Sequence, residues 1–156
     1  MLRRLLIIGT VLAVSGMAVP ALAGLAFRLD IGPAVADRSA GKLKKAVFLV
    51  RPLACDDPTA VVMTGTAEGI VNGVRQSVPL ELVTLQTPGV HAIQRQWPDG
   101  QWVIALTGTC PGREATASAI VPLAPTGQFV RAKAKFSQYA STAADIEAAL
   151  QAALAD

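Results

Sequence analysis

The dipeptide Asn72-Gly73, set between two Thr- and Val-rich runs, constrains this chain more than any other feature. The runs are Thr59 to Val71 and Val74 to Leu85. A two-residue turn of type I′ needs positive φ at both central positions, which Asn and Gly adopt at the least steric cost. The pair therefore specifies an antiparallel hairpin, and with it a β fold. On the return run Val74, Val78, Leu80 and Leu82 mark one face, as alternation along a strand requires.

Other segments follow the same logic. Ala46 to Val50 is a short apolar run of strand length, and Arg51-Pro52 places its end at a sheet edge, because Pro donates no ladder hydrogen bond. Val90 to Trp97 and Gln101 to Thr109 flank Pro98-Asp99-Gly100, which reads as a second hairpin turn. Ile93 and Trp97 share a face with His91 and Arg95, while Trp102, Ile104 and Leu106 share one on the return strand. The two tryptophans then stand close enough to pack across that hairpin. Ala115 to Leu123 is a further strand. Gln128 to Phe136 alternates Val130, Ala132, Ala134 and Phe136 with Phe129, Arg131, Lys133 and Lys135, the pattern of a half-buried strand with a cationic outer face. Past Tyr139 the period changes: Thr142-x-x-Asp145 approximates a capping box, and Ile146, Ala149, Leu150, Ala153 and Leu154 recur at helical spacing. A rival reading joins Arg131 to Ala155 in one longer helix, so residues 131–140 are open between strand and helix. Six or seven short strands with a turn signal every ten residues or so imply a single β-sandwich with a short C-terminal α-helix.

The first 23 residues read as an address rather than as fold. Arg3 and Arg4 precede the uncharged apolar stretch Leu5 to Val19, Pro20 breaks it, and Ala21-Leu22-Ala23 is a small-residue cleavage pattern, so residues 1–23 form a signal peptide and Gly24 begins the mature chain. The alternative is an uncleaved membrane anchor, because the apolar run continues to Phe27. Residues 24–45 form a lead-in, loop or loosely docked, with at most one short strand near Phe27; 46–138 form the sandwich and 139–156 the helical end. Expected localisation is periplasmic or secreted, with membrane contact only if the leader is retained. Without Arg3 and Arg4 the charge falls from +3 to about +1, and no clustered basic face is present, which argues against a nucleic-acid partner. Cys55 and Cys110 both survive processing, and an even count in an oxidising compartment implies a disulfide between them.

The inventory of reactive groups is thin. His91 is the only histidine, and no Ser in a G-x-S-x-G context accompanies it, so no catalytic set is assigned. A metal site of the copper or zinc kind needs several His, Cys or Met ligands; the mature chain offers His91 and Met63, and no metal or cofactor is expected. Asp56 and Asp57 sit in a Pro-containing turn, where acidic residues serve turn geometry. Glu68 and Glu81 are most simply solvated, and Gly65, Gly69, Gly73, Gly89 and Gly100 form no phosphate loop. Trp97 and Trp102, with His91 on the same hairpin, are the candidate ligand-binding residues: as an exposed pair they would stack on a sugar, and otherwise they are core.

The stretch Pro88-Gly89-Val90-His91-Ala92-Ile93 followed by Trp97-Pro98-Asp99-Gly100-Gln101-Trp102-Val103-Ile104 resembles the closing hairpin of bacterial envelope immunoglobulin-like domains, the YtkA-like group among them. His91 stands where an aromatic is common there. The resemblance covers about twenty residues and implies an immunoglobulin-like sandwich. Some members of that group are associated with copper or respiratory assembly, but this chain lacks a His/Met cluster, and no functional residue carries over. The expectation is a non-catalytic envelope or secreted module that binds a protein or a surface of the cell envelope. The alternative is a small-ligand or glycan binder using the paired tryptophans; an enzyme is not expected.

Overall fold

A computed structural model of the chain describes residues 26–36, 43 and 45–155. The expected leader, 1–23, lies outside the described residues, as does most of the stretch from 37 to 44. The strands are β1 (Arg28–Pro33), β2 (Ala46–Leu53), β3 (Val62–Val71), β4 (Val74–Pro79), β5 (Leu82–Thr84), β6 (His91–Gln94), β7 (Gln101–Cys110), β8 (Ala115–Pro122) and β9 (Lys135–Ser137), followed by the helix α1 (Ala143–Leu154). They form two antiparallel sheets, β1-β2-β6-β5 and β4-β3-β7-β8-β9. The chain changes sheet between β2 and β3, β4 and β5, and β6 and β7. That is the Greek-key order of an immunoglobulin-like sandwich, with β9 added outside β8.

The Asn72-Gly73 hairpin forms as expected. Asn72 has φ 51° and Gly73 φ 78°, and Val71 pairs with Val74. The strand count departs from expectation, nine among the described residues rather than six or seven. One reason lies in the lead-in: Leu29 and Ile31 are core residues of β1, which pairs along its whole length with β2, so the sandwich begins upstream of Ala46. Another lies in Val74 to Leu85, which splits at Leu80-Glu81 and sends β5 to the opposite sheet. The Gln96 side chain fixes that step, accepting from the Glu81 amide at 2.9 Å and donating to its carbonyl at 2.8 Å. β2 is an inner strand, not an edge; Pro52 is tolerated because the pairing with β6 has already ended at Val50↔His91.

The expected second hairpin is not one. β6 and β7 belong to different sheets, and Pro98-Asp99-Gly100 carries the chain across the core between them. Gln128 to Phe136 is also not one strand. Pro125-Thr126-Gly127 makes a tight reversal, with the Gly127 amide donating to the Ala124 carbonyl at 2.8 Å, and Phe129 bridges back to Leu123. Arg131–Lys133 then makes a single 3₁₀ turn, and only Lys135–Ser137 pairs with β8. Arg131 is drawn away from that sheet to Asp30 on β1, 2.9 Å off. The joined helix from Arg131 is excluded too. α1 starts at Ala143 behind a complete capping box, Thr142 accepting from the Asp145 amide and Asp145 from the Thr142 amide.

The core lies between the sheets. Ile31, Phe48, Ile93, Ile104, Leu106 and Val121 are fully buried there. Trp102 fits only because β3 carries glycine opposite it: a Cβ on Gly69 would stand 2.3 Å from the indole. The outer face of the five-stranded sheet is half roofed by α1, whose Ala149, Leu150 and Ala153 close over Val103 and Ile120. Arg75 of β4 fastens the helix, joining Glu68 of β3 at 3.2 Å to Glu147 of α1. Ser118, fully buried, donates to the Tyr139 carbonyl at 2.6 Å and ties the approach to α1 onto β8.

Candidate functional site

Cys55 and Cys110 are disulfide-bonded. Cys55 follows β2 and Cys110 ends β7, so the bond joins the two sheets at one end of the sandwich. It also places the chain in an oxidising compartment. Beside it Arg113 pairs with Asp56 at 2.8 Å, and Asp57 caps the turn Pro58–Ala60, accepting from the Thr59 amide at 2.9 Å. The hydrogen bonds from Thr59 hold the Asp57 carboxyl below the usual carboxylate range. Asp57 thus serves the local turn, as its sequence setting implies, while Asp56 makes a long-range pair with Arg113.

The opposite end carries an open cleft of about 1010 Å³. Four pieces of chain frame it: the end of β1, the start of β2, the β6–β7 crossing and the Pro125-Thr126-Gly127 reversal. Trp97 and Phe129 line it, with Val47 beside them, and Lys45, Arg95 and Asp99 supply the charge. Phe129 is held by Phe48, ring centroids 5.5 Å apart. Arg95 is positioned three times over. Its amide donates to the Lys45 carbonyl at 2.9 Å, its Nε to the Trp97 carbonyl at 3.3 Å, and its guanidinium pairs with Asp99. A cationic rim over aromatic walls suits a ligand that is both acidic and partly apolar.

The structure separates the three candidate ligand-binding residues. Trp97 and Trp102 pack together, centroids 6.3 Å apart, Trp97 from the β6–β7 crossing and Trp102 from β7. They are only 5% and 1% exposed, so neither offers an open face to solvent. Trp97 alone reaches the cleft. Trp102 Nε1 is buried without a hydrogen-bond partner, close to Gly100, where a Cβ would stand 2.8 Å from the Ile70 carbonyl oxygen and 3.2 Å from Nε1. His91 begins β6 at the end away from the cleft. It is half-buried, its Nδ1 3.3 Å from Thr84 Oγ1, and desolvation pushes its pKa below 6.5. Lys45, Arg95 and Phe129 were not singled out by the sequence as site residues. Pro125-Thr126-Gly127 was the signal for Phe129, since Pro suits the first turn position and Gly the left-handed one.

Among the described residues no group of three or more His, Cys, Asp or Glu is placed to hold a metal ion, and no helix is long and apolar enough to cross a membrane. Protein-family models, curated proteins and solved structures show no match to this chain.

Proposed function

We propose that this chain is an exported, non-catalytic binding module of the cell envelope or its surroundings, and that the cleft opposite the disulfide is its working surface. The observation that carries the reading is the fixed pairing of Arg95 with Asp99 beside Lys45, over walls made by Trp97 and Phe129. Loops on a disulfide-pinned sandwich are the usual place for recognition. The partner this chemistry favours is an acidic segment of an envelope protein with an aromatic or aliphatic side chain among its carboxylates. A glycan or other small ligand in the same cleft is the second reading, favoured by Trp97 reaching its wall.

Chemical-shift mapping separates the two readings. A Glu-rich peptide carrying one aromatic residue is expected to move the Arg95 and Trp97 resonances, and Lys45→Glu to remove the effect. Neutral oligosaccharides that move Trp97 equally well with Lys45→Glu would favour the second reading. Silence with both probes would sink the cleft as the site. Export itself is checked by the mass of the protein from its host's envelope fraction. A chain starting at Gly24 and two hydrogens light fits the proposal; a retained leader makes it a membrane-anchored module.

A further inference from the structure

A sandwich has four sheet edges, and here three of them are blunted. β5 and β9 are each three residues long. β1 lies against β8 and β9, with Arg131 drawn over its Asp30. β4 differs: six residues, mostly exposed, with pairing to β3 alone among the described residues. The turn fixes which of its backbone groups point outward. Val74, Gln76 and Val78 bond to β3, and Leu80 continues that parity by donating to the Gly65 carbonyl at 2.9 Å. The amides and carbonyls of Arg75 and Ser77 therefore face away from the sheet.

The order of side chains along this edge reads the same in both directions for apolar character: Val74-Arg75-Gln76-Ser77-Val78 is symmetric about Gln76. We infer that β4 pairs antiparallel with β4 of a second copy of this chain about a two-fold axis at Gln76, joining the two five-stranded sheets into one. Arg75 of one copy then lies opposite Ser77 of the other, and their outward amides and carbonyls satisfy each other. Val74, 61% exposed in the single chain, meets Val78 of the second copy as a close non-hydrogen-bonded pair. The two Arg75 guanidinium groups approach only diagonally, and each is already neutralised by Glu68 and Glu147. Pro79 ends the ladder, since it has no N–H to give. An isologous contact of this kind closes on itself and leaves no further edge of the same sort for a third copy. The interface is small, so the dimer is a weak one that forms at high concentration.

Sedimentation of the disulfide-bonded protein from about 1 μM to about 1 mM tests this. Mass is expected to rise from one copy to two, and no further. Ser77→Pro removes the outward N–H together with the Ser77 Oγ donation to Glu68 at 2.6 Å, and is expected to hold the protein as a monomer with a modest fall in melting temperature that Ser77→Ala reproduces while still dimerising. Val74→Lys is expected to weaken association at least tenfold. Gln76→Cys is expected to give a covalent dimer under mild oxidation, with Thr64→Cys, on β3, giving none. A monomer across the whole range would overturn the inference. So would a dimer indifferent to both Ser77→Pro and Val74→Lys, which would assign association to another surface.

Discussion

At one end of the sandwich Cys55 and Cys110 join the sheets covalently; at the other, Arg95 grips Asp99 and a Pro-Thr-Gly reversal folds Phe129 against Phe48. At the first end Asp57 is taken up by turn geometry and Asp56 by its pair with Arg113. The second is open, aromatic-walled and charged, and non-covalent contacts alone hold it. If the cleft is the working surface proposed above, the difference teaches that stability and recognition lie in separate places. A cross-link far from the cleft lets the cleft residues be chosen for what they touch rather than for what they hold together.

Removing the bond with Cys55→Ala and Cys110→Ala should cost the most, about 4 kcal/mol for a loop spanning 55 residues, read as a fall in urea midpoint with the cleft still formed. A small loss would mean that the two ends share the load. Phe129→Ala, at the other end, should cost about 2 kcal/mol, less than a fully buried Phe because the ring is only half-buried. If it matched the disulfide, the open end would be as much core as site.

Acid should act next. The His91 pKa is lower in the fold than in the unfolded chain, so the unfolded state binds the extra proton, and stability falls as pH drops below about 6.5. Asp30 acts in another window. Burial would raise its pKa, but hydrogen bonds from Arg131 and Arg51 lower it on balance, so its contribution is lost only below the ordinary carboxylate value of 3.8. A melting series on His91→Gln should lose the upper slope and keep the lower one. The smallest effect on stability is expected from Lys45→Glu, within about 0.5 kcal/mol for an exposed surface change, although it should abolish binding of acidic peptide. A large drop in melting temperature there would erase the distinction between the ends.

The sequence disclosed what local chemistry decides. Asn72-Gly73 admits one turn, Thr142 and Asp145 admit one helix start, and two cysteines in an oxidising compartment admit one bond. It concealed what distant partners decide. Between Val78 and Leu82 only Pro79 hints at a break, and the crossing to the other sheet is fixed by the Gln96 side chain, far along the chain. Trp97-Pro98-Asp99-Gly100 has the residues of a hairpin turn, yet Trp97 and Trp102 meet as tilted rings within the core instead of side by side on a sheet. The alternation from Gln128 to Phe136 is real, but Arg131 reaches Asp30 and pulls the middle of it off the sheet. The cleft is the extreme case, assembled from four separated stretches whose residues look ordinary one at a time.

The roof of the outer sheet carries a consequence in time. Ile70, Val103 and Ile120 are covered by α1, which follows every described strand in the chain. Synthesis runs from amino to carboxyl end, so every strand can be in place while this patch is still bare. Until residues 143–154 arrive, the strands leave a sticky apolar patch bare, and the pathway to the native state needs either haste or a companion at that step.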